Sequence, residues 1–145
     1  MEQQVTEYVA GFMFSGDGTD VALVRKNRPA WQAGKYNGIG GHIEAGETPI
    51  EAMVREFEEE TGVKTEQLHW KPFVSLGGDS YKVHFFYTGH DLLDQVRSTT
   101  DEPIMIVDHR TITVHNSIPN LTWLIPMVKS LAHDRADRFH IQEIV

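Results

Sequence analysis

Glu56, Glu59 and Glu60 fall within five consecutive residues of a segment, residues 40–63, that gathers seven glutamates around a single arginine. On a helical wheel advancing about 100° per residue, Glu59 lies about −60° and Glu60 about +40° from Glu56, so three carboxylates share one narrow face. Like charges at this spacing repel by about 0.2–0.5 kcal/mol per pair. A chain that collects them beside a buried stripe therefore calls for a cation. Hard carboxylate oxygens suit Mg²⁺, or Mn²⁺ in its place, with positions left for water and substrate oxygens. Ile50, Met53, Val54 and Phe57 fall between about 60° and 160° on the same wheel and form the adjoining apolar stripe. Ala52 falls within the acidic face and leaves it uncrowded, while Glu51 and Glu58 point elsewhere. Arg55 adjoins the face and can fork onto a carboxylate through two parallel hydrogen bonds. The competing reading is a solvated acidic helix surface.

The surrounding elements must hold this face in place. Thr48, Pro49 and Glu51 spell a capping box with proline at the first helical position, and Gly62 closes the helix. Upstream, residues 7–14 and 20–25 read as strands joined by the turn "SGDGT". Residues 26–38 read as a loop, and residues 39–43 as a short strand entering the helix. Downstream, "LHWKPFVSL" and "YKVHFFYTG" read as a hairpin around Gly77-Gly78. "PIMIV" at 103–107 reads as a further strand, and "LTWLIPMVKSLAHD" as a second helix broken or started near Pro126. Strands flanking two helices favour a mixed sheet covered on both sides.

The bulk properties narrow the function. A chain of 145 residues with 40% hydrophobic and 23% charged residues reads as a single globular domain spanning 1–145. A net charge of −8 argues against nucleic acid or an anionic membrane as partner. No apolar run approaches the roughly 20 residues of a membrane span. The N-terminal residues carry no basic, apolar leader pattern. Zero cysteines exclude disulfides and thiolate metal sites and fit a reducing cytoplasm.

Gly41, Glu47 and the run "REFEEETGV" from Arg55 to Val63 complete the pattern G-x5-E-x7-R-E-U-x-E-E-x-G-U. The chain therefore resembles the Nudix (MutT-like) hydrolases; Phe57 stands where a bulky aliphatic is usual and keeps its apolar role. The resemblance implies an α/β/α sandwich with a mixed sheet and a loop–helix–loop catalytic motif. It also implies hydrolysis of a nucleoside diphosphate linked to a further group X. By position, Glu56, Glu59 and Glu60 then match the metal ligands, with the Gly40 carbonyl. Glu47 and Arg55 match the pair bracing loop against helix. The general base stays open among Glu59, Glu60 and Glu102; the last, in "TTDEPIMIV", resembles an extra glutamate of the family, against a plain turn at Asp101–Glu102. Arg25 matches a phosphate-binding arginine, while Lys26, Arg28 and Lys35 read as ordinary loop charges.

The substrate reading comes from two further segments. "KYNGIGGHIEAGE" is similar to the stretch that precedes the box in enzymes acting on oxidised purine nucleoside triphosphates. Asn37 matches their base-contacting asparagine, although Asn-Gly also favours a simple turn. "NSIPNLTWLIP" resembles their second base-contacting segment, with Asn120 and Leu121 where acids would stand. Trp31 is the stacking candidate; Trp123 reads as core. The favoured reaction converts a nucleoside triphosphate to monophosphate and pyrophosphate. ADP-ribose, a nucleotide sugar or a dinucleoside polyphosphate is the alternative substrate, and a non-hydrolysing nucleotide sensor the alternative of another class. The resemblance also allows a homodimer.

Overall fold

The computed structural model describes residues 4–89, 92–134 and 139–142. Two neighbouring strands, β1 (Thr6–Phe14) and β6 (Tyr81–Gly89), run parallel through the centre of a mixed sheet, paired along their whole length from Thr6↔Tyr81 to Phe14↔Gly89. On its other edge β1 is shared. Tyr8–Gly11 pair with β4 (Ile39–His42), and Met13–Phe14 pair with β2 (Asp20–Arg25). Between these partners the sheet parts, and β4 leaves it toward the acidic helix α1 (Pro49–Thr61). β2 also pairs with β3 (Tyr36–Asn37) and β7 (Ile104–Asp108), while β5 (Lys71–Gly77) joins β6 to β8 (Phe139–Gln142).

Alternation along the central strands fills both faces. Phe12, Phe14, Val21, Leu23 and Phe85 meet Leu121, Leu124 and Val128 of the helix α2 (Leu121–Asp134). Val9, Met13, Ala22, Val24 and Phe86 meet Ala52, Met53 and Phe57 of α1. The helices thus lie on opposite faces, the α/β/α arrangement expected from the sequence. At Gly11 a Cβ would sit 2.7 Å from the Met53 sulfur, so glycine at mid-strand lets α1 approach closely.

Several local expectations are corrected. Residues 26–38 are not a bare loop: they hold a 3-10 turn at Ala30–Gln32 and end in β3. Residues Gln67–His69 form a 3-10 turn, so the first hairpin arm begins at Lys71. α2 runs unbroken through Pro126. Pro126 faces solvent, where water can satisfy the carbonyl that its missing N–H leaves free. β8, not expected from the sequence although Phe139, His140, Ile141 and Gln142 alternate, pairs in parallel with β5.

Candidate active site

α1 starts where local chemistry dictates. The Thr48 hydroxyl accepts from the Glu51 amide at 3.3 Å, and the Glu51 carboxylate accepts from the Thr48 amide at 2.9 Å. The left-handed Gly62 (φ 76°) ends it. The loop between β4 and α1 is then drawn onto Arg55. Its Nε and Nη2 donate to the two oxygens of Glu47 at 2.7 and 2.9 Å, and Nη2 also donates to the His42 carbonyl at 3.0 Å. Nη1 reaches Glu56 Oε1 at 3.0 Å and Glu59 Oε2 at 3.3 Å. The forked contact with Arg55 holds the Glu47 carboxyl down to about 2, against the opposing effect of its burial.

Glu56 and Glu60 are half-buried, and both lean toward the sheet. The Glu56 carboxylate lies against β4, where a Cβ on Gly41 would come within 2.6 Å of Oε1. Burial raises the Glu56 carboxyl, with Arg55 opposing. Glu60 is pushed up to about 7, first by burial and then by the charge of Glu56, with Lys26 pulling the other way. Ala52 and Met53 beside them are fully buried, so Glu56 and Glu60 lose water while Glu59 stays exposed.

Gly40 lies in β4 opposite Ala10 and immediately before Gly41. The donor set fits a hard divalent cation: oxygen ligands, a glycine cradle under Glu56, and a half-buried Glu60 that its neighbours disfavour as an anion. No group of three or more acidic or histidine side chains closes into a ready metal cage among the described residues. Glu56 and Glu59 are both held by the Arg55 guanidinium.

Glu102 is brought beside this face from 42 positions away in sequence, and its charge is felt at Glu60. The side chain is only 8% exposed. Oε1 accepts from Lys26 Nζ at 2.9 Å, and Oε2 accepts from the amides of Asn27 at 2.6 Å and Arg28 at 3.3 Å. Burial alone would raise Glu102, but these donors outweigh it and hold the carboxyl below its ordinary range. Arg28 adds an ion pair to Asp101. Lys26 and Arg28 are therefore not ordinary loop charges. Sequence reasoning missed them because their partners lie more than seventy residues away. Arg25 ends β2 with an exposed side chain, its amide bonded to the Pro103 carbonyl at 2.9 Å.

On the far side of β3, the Tyr36 amide bonds to the Asn116 carbonyl, and the Ile118 amide to the Tyr36 carbonyl. The segment leading to Asn120 is thus stitched to the strand that carries Asn37. Asn37 donates to the Gln32 side chain at 3.0 Å and accepts from the Gly38 amide at 2.7 Å. The Asn120 Oδ1 is buried without a hydrogen-bond partner among the described residues. Trp31 is 63% exposed, on the 3-10 turn beside Gln32. Trp123 is not core: it lies 37% exposed on the first turn of α2, while Leu121 and Leu124 take the buried positions.

A mixed sheet between two helices, with Arg55 forking the entry loop onto the acidic helix, defines an α/β/α domain. The chain belongs to the NUDIX domain family, whose model matches residues 6–123. It is 34% identical over 68 residues to the 8-oxo-dGTP diphosphatase of Escherichia coli, covering 47% of this chain and 51% of that protein. It is 37% identical over 79 residues to a nudix hydrolase of Caenorhabditis elegans, covering 53% of this chain and 21% of that protein. The chain thus spans about half or less of these relatives' lengths. A solved MutT structure, from work on the Aliivibrio salmonicida and Vibrio cholerae proteins, superposes with a TM-score of 0.69 at 27% identity, over 90% of this chain and 98% of that one. The mutator MutT protein of Bacillus halodurans shares the fold, with a TM-score of 0.73 at 16% identity, over 97% of this chain and 90% of that one. No helix among the described residues is long and apolar enough to cross a membrane.

Proposed function

We propose that this protein is a divalent-metal-dependent hydrolase of nucleoside diphosphates linked to a further group, with nucleoside triphosphates as the preferred class. The observation that carries this reading is the gathering of Glu56, Glu59 and Glu60 on α1, with Arg55 bridging Glu56 and Glu59 and the Glu56 carboxylate lying against Gly41. Glu56, Glu59 and Glu60, with the Gly40 carbonyl, would hold Mg²⁺ or Mn²⁺. When bound, the metal supplies neutralisation of the phosphate oxygens and polarisation of the anhydride bond. Arg55 and Glu47 keep loop and helix in register, and Arg25 binds phosphate. Water oxygen bonds to phosphorus as the anhydride P–O bond breaks. Of the three candidate bases, Glu102 has both oxygens engaged by Lys26 and two backbone amides, so the proton goes to Glu59 or Glu60, and pyrophosphate leaves. Asn37 and the unpartnered Oδ1 of Asn120 read the base edge, and Trp31 covers its face.

The E. coli relative makes oxidised purine triphosphates the first substrates to try. The test is product release with Mg²⁺ across canonical and oxidised NTPs and dNTPs, ADP-ribose, nucleotide sugars and diadenosine polyphosphates, with Glu60→Gln as control. Monophosphate and pyrophosphate from a triphosphate, lost in the variant, is the expected outcome. Turnover of X-linked diphosphates alone would overturn the substrate class. Nucleotide binding without any turnover would overturn the hydrolase.

A further inference from the structure

We propose that Lys26 and Glu102 form a latch that couples the acidic helix to the loop orienting Asn37, so that both are positioning residues for the nucleotide. The coupling rests on the hydrolase reading above for its purpose, and on hydrogen bonds for its path. At the helix end, the Arg97 amide bonds to the Thr61 carbonyl at 3.1 Å and the Thr99 hydroxyl donates to the Glu59 carbonyl. Segment 97–102 is thereby mounted on the last turn of α1. Thr100 steadies Glu102 further, accepting from its amide at 3.2 Å.

From Glu102 the path crosses to the other half of the sheet. Its carboxylate takes the Lys26 ammonium and the amides of Asn27 and Arg28, and the Asn27 side chain donates to the Asp101 carbonyl at 2.6 Å. Those residues open a closed excursion. The Lys26 amide bonds to the Lys35 carbonyl at 2.9 Å, the Gly34 amide to the Lys26 carbonyl at 2.8 Å, and the Lys35 amide to the Gln32 carbonyl at 2.9 Å. Within it sits Gln32, whose side-chain oxygen receives the Asn37 amide. Every link from Glu59 to Asn37 is a hydrogen bond or a short stretch of chain. Releasing the latch therefore frees the base-side loop.

The test separates the latch from the catalytic reading. Hydrogen–deuterium exchange of the ligand-free protein should show the amides of residues 27–37 exchanging faster in Lys26→Met than in the wild type. Lys26→Arg, which keeps charge and reach, should restore slow exchange and serves as the folding control. With dGTP and Mg²⁺, Lys26→Met should raise KM about tenfold while lowering kcat far less, because orientation of bound nucleotide is lost and the chemical groups stay. Glu102→Gln should do the same, and the double variant should be no worse than either single one. Unchanged exchange, additive effects, or a fall in kcat with KM intact would overturn the latch. So would loss of Mn²⁺ binding by electron paramagnetic resonance in Glu102→Gln, which would make Glu102 a metal ligand. If the wild type turns over none of the nucleotides in the panel above, the hydrolase reading fails alone, and exchange together with dGTP affinity by calorimetry decides the latch.

Discussion

Two cation–carboxylate clamps grip the acidic face from opposite sides. Arg55 and Glu47 are eight residues apart, on one helix and its entry loop. Lys26 and Glu102 are 76 residues apart, on two strand ends that meet only in the folded sheet. The first is a rigid fork with every guanidinium nitrogen engaged: two contacts to Glu47, one to a backbone carbonyl, two to box glutamates. The second is one ammonium contact backed by two amides. A planar fork cannot be replaced by a point charge, whereas a single ammonium contact can be met by another cation of similar reach. The clamps therefore differ in what they tolerate: the Arg55 side should be intolerant of substitution, and the Lys26 side should accept arginine.

The largest effect should come from crowding the Arg55 side. Gly41→Ala drives a methyl into the Glu56 carboxylate and should cost about 100-fold in turnover, as misplacements near 1 Å do. Steady-state kinetics checks this, and a loss under threefold would mean that Glu56 can move freely. Arg55→Lys comes next: it strands Glu47 or the His42 carbonyl and should destabilise the protein by about 1–3 kcal/mol, read by urea unfolding. Stability equal to the wild type would show that both clamps are simple charge pairs and erase the contrast.

A pH series sharpens the same comparison. Glu47 has a folded pKa of about 2, below its ordinary 4.5, so its contribution to stability is present above pH 4.5 and lost as pH falls toward 2. Thermal melts between pH 6 and pH 2 should show that loss, and Glu47→Gln should flatten it. An identical slope in the variant would assign the acid sensitivity to other carboxylates. The smallest effect is expected at Trp31→Ala. An exposed stacking ring contributes at the low end of about 1–3 kcal/mol, so KM for a purine triphosphate should rise about fivefold. If only Trp123→Ala raises KM, the base stacks on α2 instead.

Legibility followed the same division. The capping box at Thr48 and the closing Gly62 were readable because each joins residues within one helical turn, where spacing fixes geometry, whereas the Arg55–Glu47 pairing came from the family resemblance. The alternation in "YKVHFFYTG" gave the strand, and Phe85 and Phe86 are buried on opposite faces because a helix covers each side of the sheet. Trp123 was misjudged because helical spacing alone does not say which face a neighbouring sheet will cover.

From the sequence alone came the glutamate face, its loop-to-helix brace, the two covering helices and the family whose motif they spell. All of these rest on short-range periodicity and on residue chemistry that travels with the chain. Only the tertiary structure decided that Glu56 and Glu60 lie half-buried while Glu59 stays exposed, that Lys26 meets Glu102, and that Asn37 and Asn120 lie on stitched neighbouring segments. Those facts depend on which distant strands share an edge, and that choice is made by the packing of the whole sheet.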